Sequence, residues 1–202
     1  MKSSDCDASS KSIVLTCIVI SLQSLQYFSG ILKPSEYFSA NFGNSKIVLD
    51  VSEELLKLST NLRFTMGLPF DDNHANPLTQ PSPLNDSTMF WSWQNGHKFL
   101  RLDVSKGSEE TRKWSYHLGS VGCDSESAVR PPAKSCAFTN RVEFILPMTQ
   151  LDTDLDLEVS VSNIVAQVDI NEAPSCMFES PETEPCKKLI QNLVHRPWIK
   201  WQ

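Results

Sequence analysis

The residue types best suited to metal chemistry are the histidines and two closely spaced tryptophans. The histidines are His74, His97, His117 and His195. The tryptophans, Trp91 and Trp93, are two positions apart, so in a strand both side chains would lie on one face. Neutral imidazole is a good ligand for copper and related transition metals. An intact indole is not, because it offers only an N–H donor.

Each of these residues also has an ordinary structural interpretation. A single histidine is most often a surface or hydrogen-bonded side chain. His195 fits that interpretation best, because it falls in the last turn of a predicted helix, where a cation complements the helix dipole. Paired tryptophans are most often part of a core.

Composition and motifs exclude several function classes. Eighteen Lys and Arg residues stand against 24 Asp and Glu residues, for a formal net charge of -6, and a nucleic-acid binder would instead carry a basic stripe. The phosphate-binding, metalloprotease and serine-hydrolase motifs are absent from the sequence. No nucleophile–base pair is recognisable either, so we do not expect an enzyme.

The elements that must position these residues are mostly strands. Seven short segments alternate apolar and polar residues and end at turn-forming residues, which is typical of strands: 46–51, 62–66, 89–94, 98–104, 113–118, 140–146 and 155–161. This spacing predicts a mainly β domain, an antiparallel β-sandwich-like fold with long Pro-rich loops, of which 69–87 is the longest. Short helices are predicted at 52–58 and 185–196, the second from its apolar stripe and its flanking prolines.

Four cysteines form two close pairs in the sequence, Cys123 with Cys136 and Cys176 with Cys186. Four cysteines allow three connectivities, and local pairing is favoured because closing a short loop loses little entropy. Two local disulfides would indicate an oxidising compartment. The alternative is four reduced thiols in a cytosolic protein.

The amino terminus has the layout of an export signal. Residues 13–22 are apolar, and Lys2 and Lys11 precede them. Such a run is too short to span a bilayer and suits a signal-peptide core. We therefore expect a leader over residues 1–30 and a single domain over 45–202. The alternative is that the apolar run is a buried strand or helix of the domain itself.

Several blocks resemble one family. They are 62–70, 73–74, 81–85, 89–94, 98–101, 117–120, 140–142, 174–177 and 185–186. In this order they resemble the MbnP-like, four-Cys-motif proteins of the metallo-mystery-pair system, to which the CorA and MopE surface copper proteins of methane-oxidising bacteria are related. The family domain usually begins with strands before the Leu62 block, so either this chain is a short form or residues 37–49 replace them.

The resemblance implies a periplasmic protein, or a surface protein associated with the outer membrane, that binds copper (Cu+ or Cu2+) for acquisition or storage. The implied ligands are histidines and a kynurenine that a di-haem MbnH-like peroxidase partner makes from a tryptophan. His74 and His117 lie in matching blocks, with His97 as a further candidate. Trp91 is preferred over Trp93 as the modified residue.

Calcium is associated with some members of the family, but the acidic alternation at 152–158 lacks the glycine and glutamate of an EF-hand loop and is better explained as a solvated strand face. The alternative function is a disulfide-stapled β-sandwich interaction module without a metal.

Overall fold

The chain folds around one antiparallel sheet. In the computed structural model, residues 11–27, 30–32, 37–40, 59–106, 113–148 and 157–201 are described. The eight strands of this sheet are β1 Lys11–Tyr27, β2 Gly30–Leu32, β3 Tyr37–Ala40, β4 Ser59–Met66, β5 Phe90–Ser92, β6 Gly96–Lys106, β7 Lys113–Gly119 and β8 Val142–Pro147. The order is β5-β6-β1-β4-β8, with β2 and β3 paired to β1 and β7 paired to β6. Every pairing is antiparallel.

Alternating burial explains why these segments are strands. In β7, Trp114, Tyr116 and Leu118 are buried, whereas the side chains between them are only partly buried. Side chains of a strand point alternately to its two faces, so one face of β7 enters the core. Phe64 of β4 stands opposite Phe144 of β8, and their rings stack with centroids 5.3 Å apart.

A smaller layer covers the core. Strands β9 Leu157–Val159 and β10 Ile199–Trp201 pair antiparallel. The helices among the described residues are α1 Phe70–Asn73, α2 Val161–Ile164 and α3 Cys186–His195. The α3 stripe buries Leu189 and Leu193, and the indole of Trp198 donates to the Leu193 carbonyl at 2.7 Å.

The predicted fold class is confirmed. The protein is mainly β and antiparallel, its helices are short, and its disulfides are Cys123–Cys136 and Cys176–Cys186. Helix α3 matches the helix predicted at 185–196. The Pro-rich loop contains α1 and two 3-10 turns, Pro77–Thr79 and Ser87–Met89. The strand predicted at 46–51 and the helix predicted at 52–58 lie outside the described residues.

The apolar run near the amino terminus forms part of β1. This strand lies between β4 and β6 and pairs with both. Such an arrangement agrees with the alternative interpretation, in which residues 13–22 belong to the domain. It also supplies strands before the Leu62 block. Cleavage of a leader near residue 30 stays a prediction. Among the described residues, no helix is both long and apolar enough to cross a membrane.

Candidate metal site

The imidazole of His117 is held by a carboxylate on the neighbouring strand. In the antiparallel register of β6 and β7, Asp103 stands opposite Ser115, two positions from His117. The Asp103 carboxylate oxygen Oδ1 accepts from His117 Nε2 at 2.8 Å and from Ser115 Oγ at 2.7 Å. Its Oδ2 accepts from Arg101 Nε at 2.8 Å. A histidine whose Nε2–H is donated to a carboxylate presents its Nδ1 lone pair, as metal-ligating histidines commonly do.

The surroundings of this pair keep the imidazole neutral. Burial is the largest single influence and lowers the pKa of His117, the hydrogen bond and charge of Asp103 raise it, and the charges of Lys98 and Arg101 lower it, so that the net shift is downward. Burial would raise the pKa of Asp103, but hydrogen bonds from Ser115 and His117 and the Arg101 charge lower it below its ordinary value. At neutral pH the pair is therefore a neutral imidazole on a carboxylate, and a neutral imidazole is the form that binds metals.

Trp91 lies beside His117. The two ring centroids are 6.4 Å apart, and the indole also contacts the ring of Phe178, with the centroids 4.6 Å apart. Gly119 allows this close approach, because a Cβ there would lie 2.6 Å from Trp91 Cζ3. Trp91 is half-buried, so its indole is held in place but is not sealed inside the fold.

Trp93 has different neighbours. It is also half-buried, and its ring meets that of Phe90 edge-on at 5.6 Å. Its backbone carbonyl lies 3.3 Å from His74 Nδ1. The sequence predicts a strand over 89–94 with both indoles on one face. In the structure β5 ends at Ser92, so Trp93 lies outside the strand.

His74 follows helix α1 and is buried, with 7% of its surface exposed. Because a carbonyl can only accept, Nδ1 donates to Trp93 and Nε2 carries the lone pair. The Asn73 amide nitrogen lies 3.3 Å from Nε2, and Cys136 Sγ lies 3.6 Å from it. Burial lowers the pKa of His74, and the charge of His97 lowers it further, against the hydrogen bond to Trp93.

His97 connects the Pro-rich loop to the sheet. It is 1% exposed, and its Nδ1 and Nε2 each lie 2.9 Å from a carbonyl oxygen, of Asn73 and Leu84 respectively. Its backbone N–H also donates to Asn73 Oδ1 at 2.8 Å. A metal ligand needs a nitrogen lone pair directed at the ion, and here both nitrogens face acceptors. The geometry favours a structural role for His97.

The structure therefore distributes the predicted residues around the Trp91–Trp93 segment. His117 contacts Trp91 at one end and His74 contacts Trp93 at the other. No hydrogen bond or ring contact joins the two imidazoles within the described part of the chain. His195 ends α3 at the exposed surface, as expected.

Two clusters of metal-ligand residue types are formed around the disulfides. One combines His74 with Cys123 and Cys136, and the other combines Glu179 with Cys176 and Cys186. A thiolate is the metal-binding form of cysteine, and these sulfurs are bonded to each other. With the disulfides intact, neither cluster is a thiolate site.

A small pocket opens next to His117. Its lining includes His117, Asn140, Met177 and Glu179 and the second disulfide. Its volume of about 10 Å³ matches one water or one ion. Sequence reasoning missed the pairing of Asp103 with His117 and the placement of Met177 beside the same pocket. The only sequence signal for either was that Met177 lies in one of the family-like blocks.

The fold and this geometry define a class: an antiparallel β protein with two disulfides, in which one imidazole is hydrogen-bonded to a carboxylate, lies beside an indole and lines a small pocket. The MbnP family model matches residues 30–178, and the chain belongs to this family, which is copper-related. Among solved structures, MbnP from Methylosinus trichosporium is similar, with a TM-score of 0.68 and 18% identity. That match covers 90% of this chain and 76% of the other chain and shows a common fold. No curated protein matches the sequence.

Proposed function

We propose that this protein binds one copper ion at His117, with Trp91 oxidised to kynurenine as a second ligand. His74 is the second imidazole of the proposed set. The protein is not itself an enzyme; it acquires or stores copper in the periplasm or at the cell surface. The observation that carries this proposal is the position of the Trp91 ring beside a histidine whose Nε2 is already held by Asp103.

The donor set suits copper. Copper is the tightest binder among the divalent first-row ions, and imidazole nitrogen is one of its usual ligands. Opening the five-membered ring of Trp91 would provide an aniline nitrogen and a carbonyl oxygen, neither of which an indole has. His117 would supply Nδ1, because Nε2 is committed to Asp103.

The choice of Trp91 over Trp93 rests on neighbours. The Trp91 ring lies next to His117, whereas the Trp93 ring packs edge-on against Phe90. Trp91 is only half-buried, which leaves it within reach of an oxidising partner. We propose that this partner is a di-haem MbnH-like peroxidase, which would oxidise Trp91 with hydrogen peroxide: the five-membered ring is opened, its lost carbon leaves as formate, and the peroxide is reduced to water.

His74 is supported by its hydrogen bonds. Its Nδ1 donates to the Trp93 carbonyl, a backbone contact of the kind that orients metal-ligating histidines. Its lowered pKa keeps it neutral at neutral pH. For His74 to bind the same ion as His117, its Nε2 must give up the contact with the Asn73 amide and bind the metal instead.

Mass spectrometry of protein from its native host tests the modification. Conversion to kynurenine exchanges one carbon for one oxygen, so the Trp91 peptide should be heavier by about 4 Da. The Trp93 ring should have its ordinary mass. Unmodified tryptophans in copper-loaded native protein would contradict the proposed ligand set.

Copper titration tests the imidazoles. His117→Gln and the double variant with His74→Gln should bind copper more weakly than wild type. His195→Gln is the matched control, because His195 is exposed at the end of α3. Equal binding by wild type and the double variant would favour the alternative, an interaction module without a metal.

A further inference from the structure

A short segment from the carboxyl-terminal part of the chain lies along the free edge of β7, next to His117. We call residues 174–179 the strap. Its Cys176 N–H donates to the Ser115 carbonyl at 2.9 Å, and the Cys176 carbonyl accepts from the His117 N–H at 2.8 Å. Tyr116 and Cys176 form a parallel bridge. Met177, the residue after Cys176, therefore lies level with His117, the residue after Tyr116.

Three further contacts fix the conformation of the strap. The Cys176–Cys186 disulfide ties it to the start of α3. The Glu179 carboxylate accepts from the Met177 N–H at 2.7 Å and from the Phe178 N–H at 3.0 Å. Phe178 then lies on Trp91, with the centroids 4.6 Å apart, although 52% of Phe178 is exposed. The strap therefore contacts two of the three residues of the proposed copper site, His117 through its backbone and Trp91 through its ring.

Met177 belongs to the same pocket as His117. Both line the small cavity that has room for one ion, and Met177 is half-buried. Asn140 and Glu179 line it as well, so residues that carry nitrogen, oxygen and sulfur donors lie around a space of this size.

We propose that the thioether sulfur of Met177 is a further copper ligand at the His117 pocket. This inference rests on the proposed function and adds a ligand to it. Thioether sulfur is a soft donor that favours Cu+ over Cu2+, whereas imidazole serves both ions. Glu179 acts as a positioning residue, because its carboxylate holds the backbone of Met177 and Phe178.

The Met177→Leu variant separates ligation from packing. Leucine keeps the apolar volume and removes the sulfur, and such volume-conserving exchanges are usually well tolerated. Met148→Leu is the matched control, since Met148 is also half-buried but lies just after β8, against the core. Both variants and wild type are made as the full chain in the native host and titrated separately with Cu+ and Cu2+ alone.

The affinity of Met177→Leu for Cu+ should fall by at least about tenfold, and its affinity for Cu2+ should change far less. Met148→Leu should match wild type for both ions. X-ray absorption of the Cu+-loaded wild type should show a sulfur in the first coordination shell, and the signal should be absent from Met177→Leu. Thermal unfolding of each apo variant verifies that the fold is retained.

His117→Gln distinguishes failure of this inference from failure of the proposed function. If His117→Gln weakens copper binding while Met177→Leu does not, and wild type shows no copper–sulfur contact, the Met177 assignment is wrong and the His117 site stands. If His117→Gln binds both ions like wild type, the proposed function itself is overturned. The absorption measurement on wild type decides the Met177 assignment even if Met177→Leu does not fold.

Discussion

Replacing Asp103 with asparagine should weaken copper binding without removing any metal ligand. The carboxylate accepts three hydrogen bonds, two at Oδ1 from His117 and Ser115 and one at Oδ2 from Arg101. An asparagine has one acceptor oxygen and one NH2 group in place of the two oxygens. If its oxygen stays at the Oδ1 position, the NH2 group faces the Arg101 N–H, donor against donor. If the amide is reversed, the NH2 group faces His117 and Ser115.

Either orientation of the amide affects the metal. In the first, His117 keeps a hydrogen bond, but to a neutral oxygen, which makes the imidazole less basic. In the second, Nε2 must accept, so the proton moves to Nδ1 and the lone pair is no longer available to copper. Loss of such an outer-shell partner typically lowers metal affinity by roughly tenfold to a hundredfold. That range corresponds to about 1.4 to 2.7 kcal/mol of binding free energy.

The measurement is a competition titration of Cu+ against a coloured chelator, together with nitrogen NMR of the His117 ring. Glu143→Gln makes the same chemical change on the surface, where Glu143 faces Arg63 at 3.7 Å with 63% of its side chain exposed. This control should bind copper like wild type. If Asp103→Asn also binds like wild type while His117→Gln does not, the argument that Asp103 selects the His117 tautomer is refuted.

Two further predictions concern the folded protein without copper. Gly119→Ala should lower the free energy of unfolding by about 1 to 3 kcal/mol, because the new Cβ would lie 2.6 Å from Trp91 Cζ3 and 2.8 Å from the His97 carbonyl oxygen; unchanged urea unfolding would show that Trp91 does not pack there. Acid should also destabilise the protein, since burial lowers the pKa values of His74 and His117 below 6.5. On acidification the unfolded chain binds these protons at a higher pH than the folded chain does. The contribution of the two histidines to the free energy of unfolding is therefore fully present above pH 6.5 and decreases as the pH falls towards their pKa values in the folded chain. Urea unfolding at several pH values measures the slope, which should flatten in the double variant His74→Gln, His117→Gln; an unflattened slope would assign the effect to other groups.

Much of the fold follows from local sequence pattern. The alternation of Trp114, Tyr116 and Leu118 with polar residues predicts β7 because a strand places successive side chains on opposite faces. The stripe that includes Leu189 and Leu193 predicts α3 in the same way from helical spacing. The two disulfides follow from short loops, and family membership follows from an ordered set of short blocks. These inferences depend on neighbours in sequence, which is why they need no structure.

The candidate site depends on residues that are distant in sequence. Asp103 meets His117 only because β6 and β7 pair in one particular register, and Met177 reaches the same pocket only because the strap joins the edge of β7. His97 looks like the other histidines in sequence, and only its two carbonyl neighbours in the fold favour a structural role for it. The sequence alone determined the strand pattern, the family and the residue types suited to copper. Register and packing, which bring together residues far apart in the chain, decided which of those residues lie next to one another.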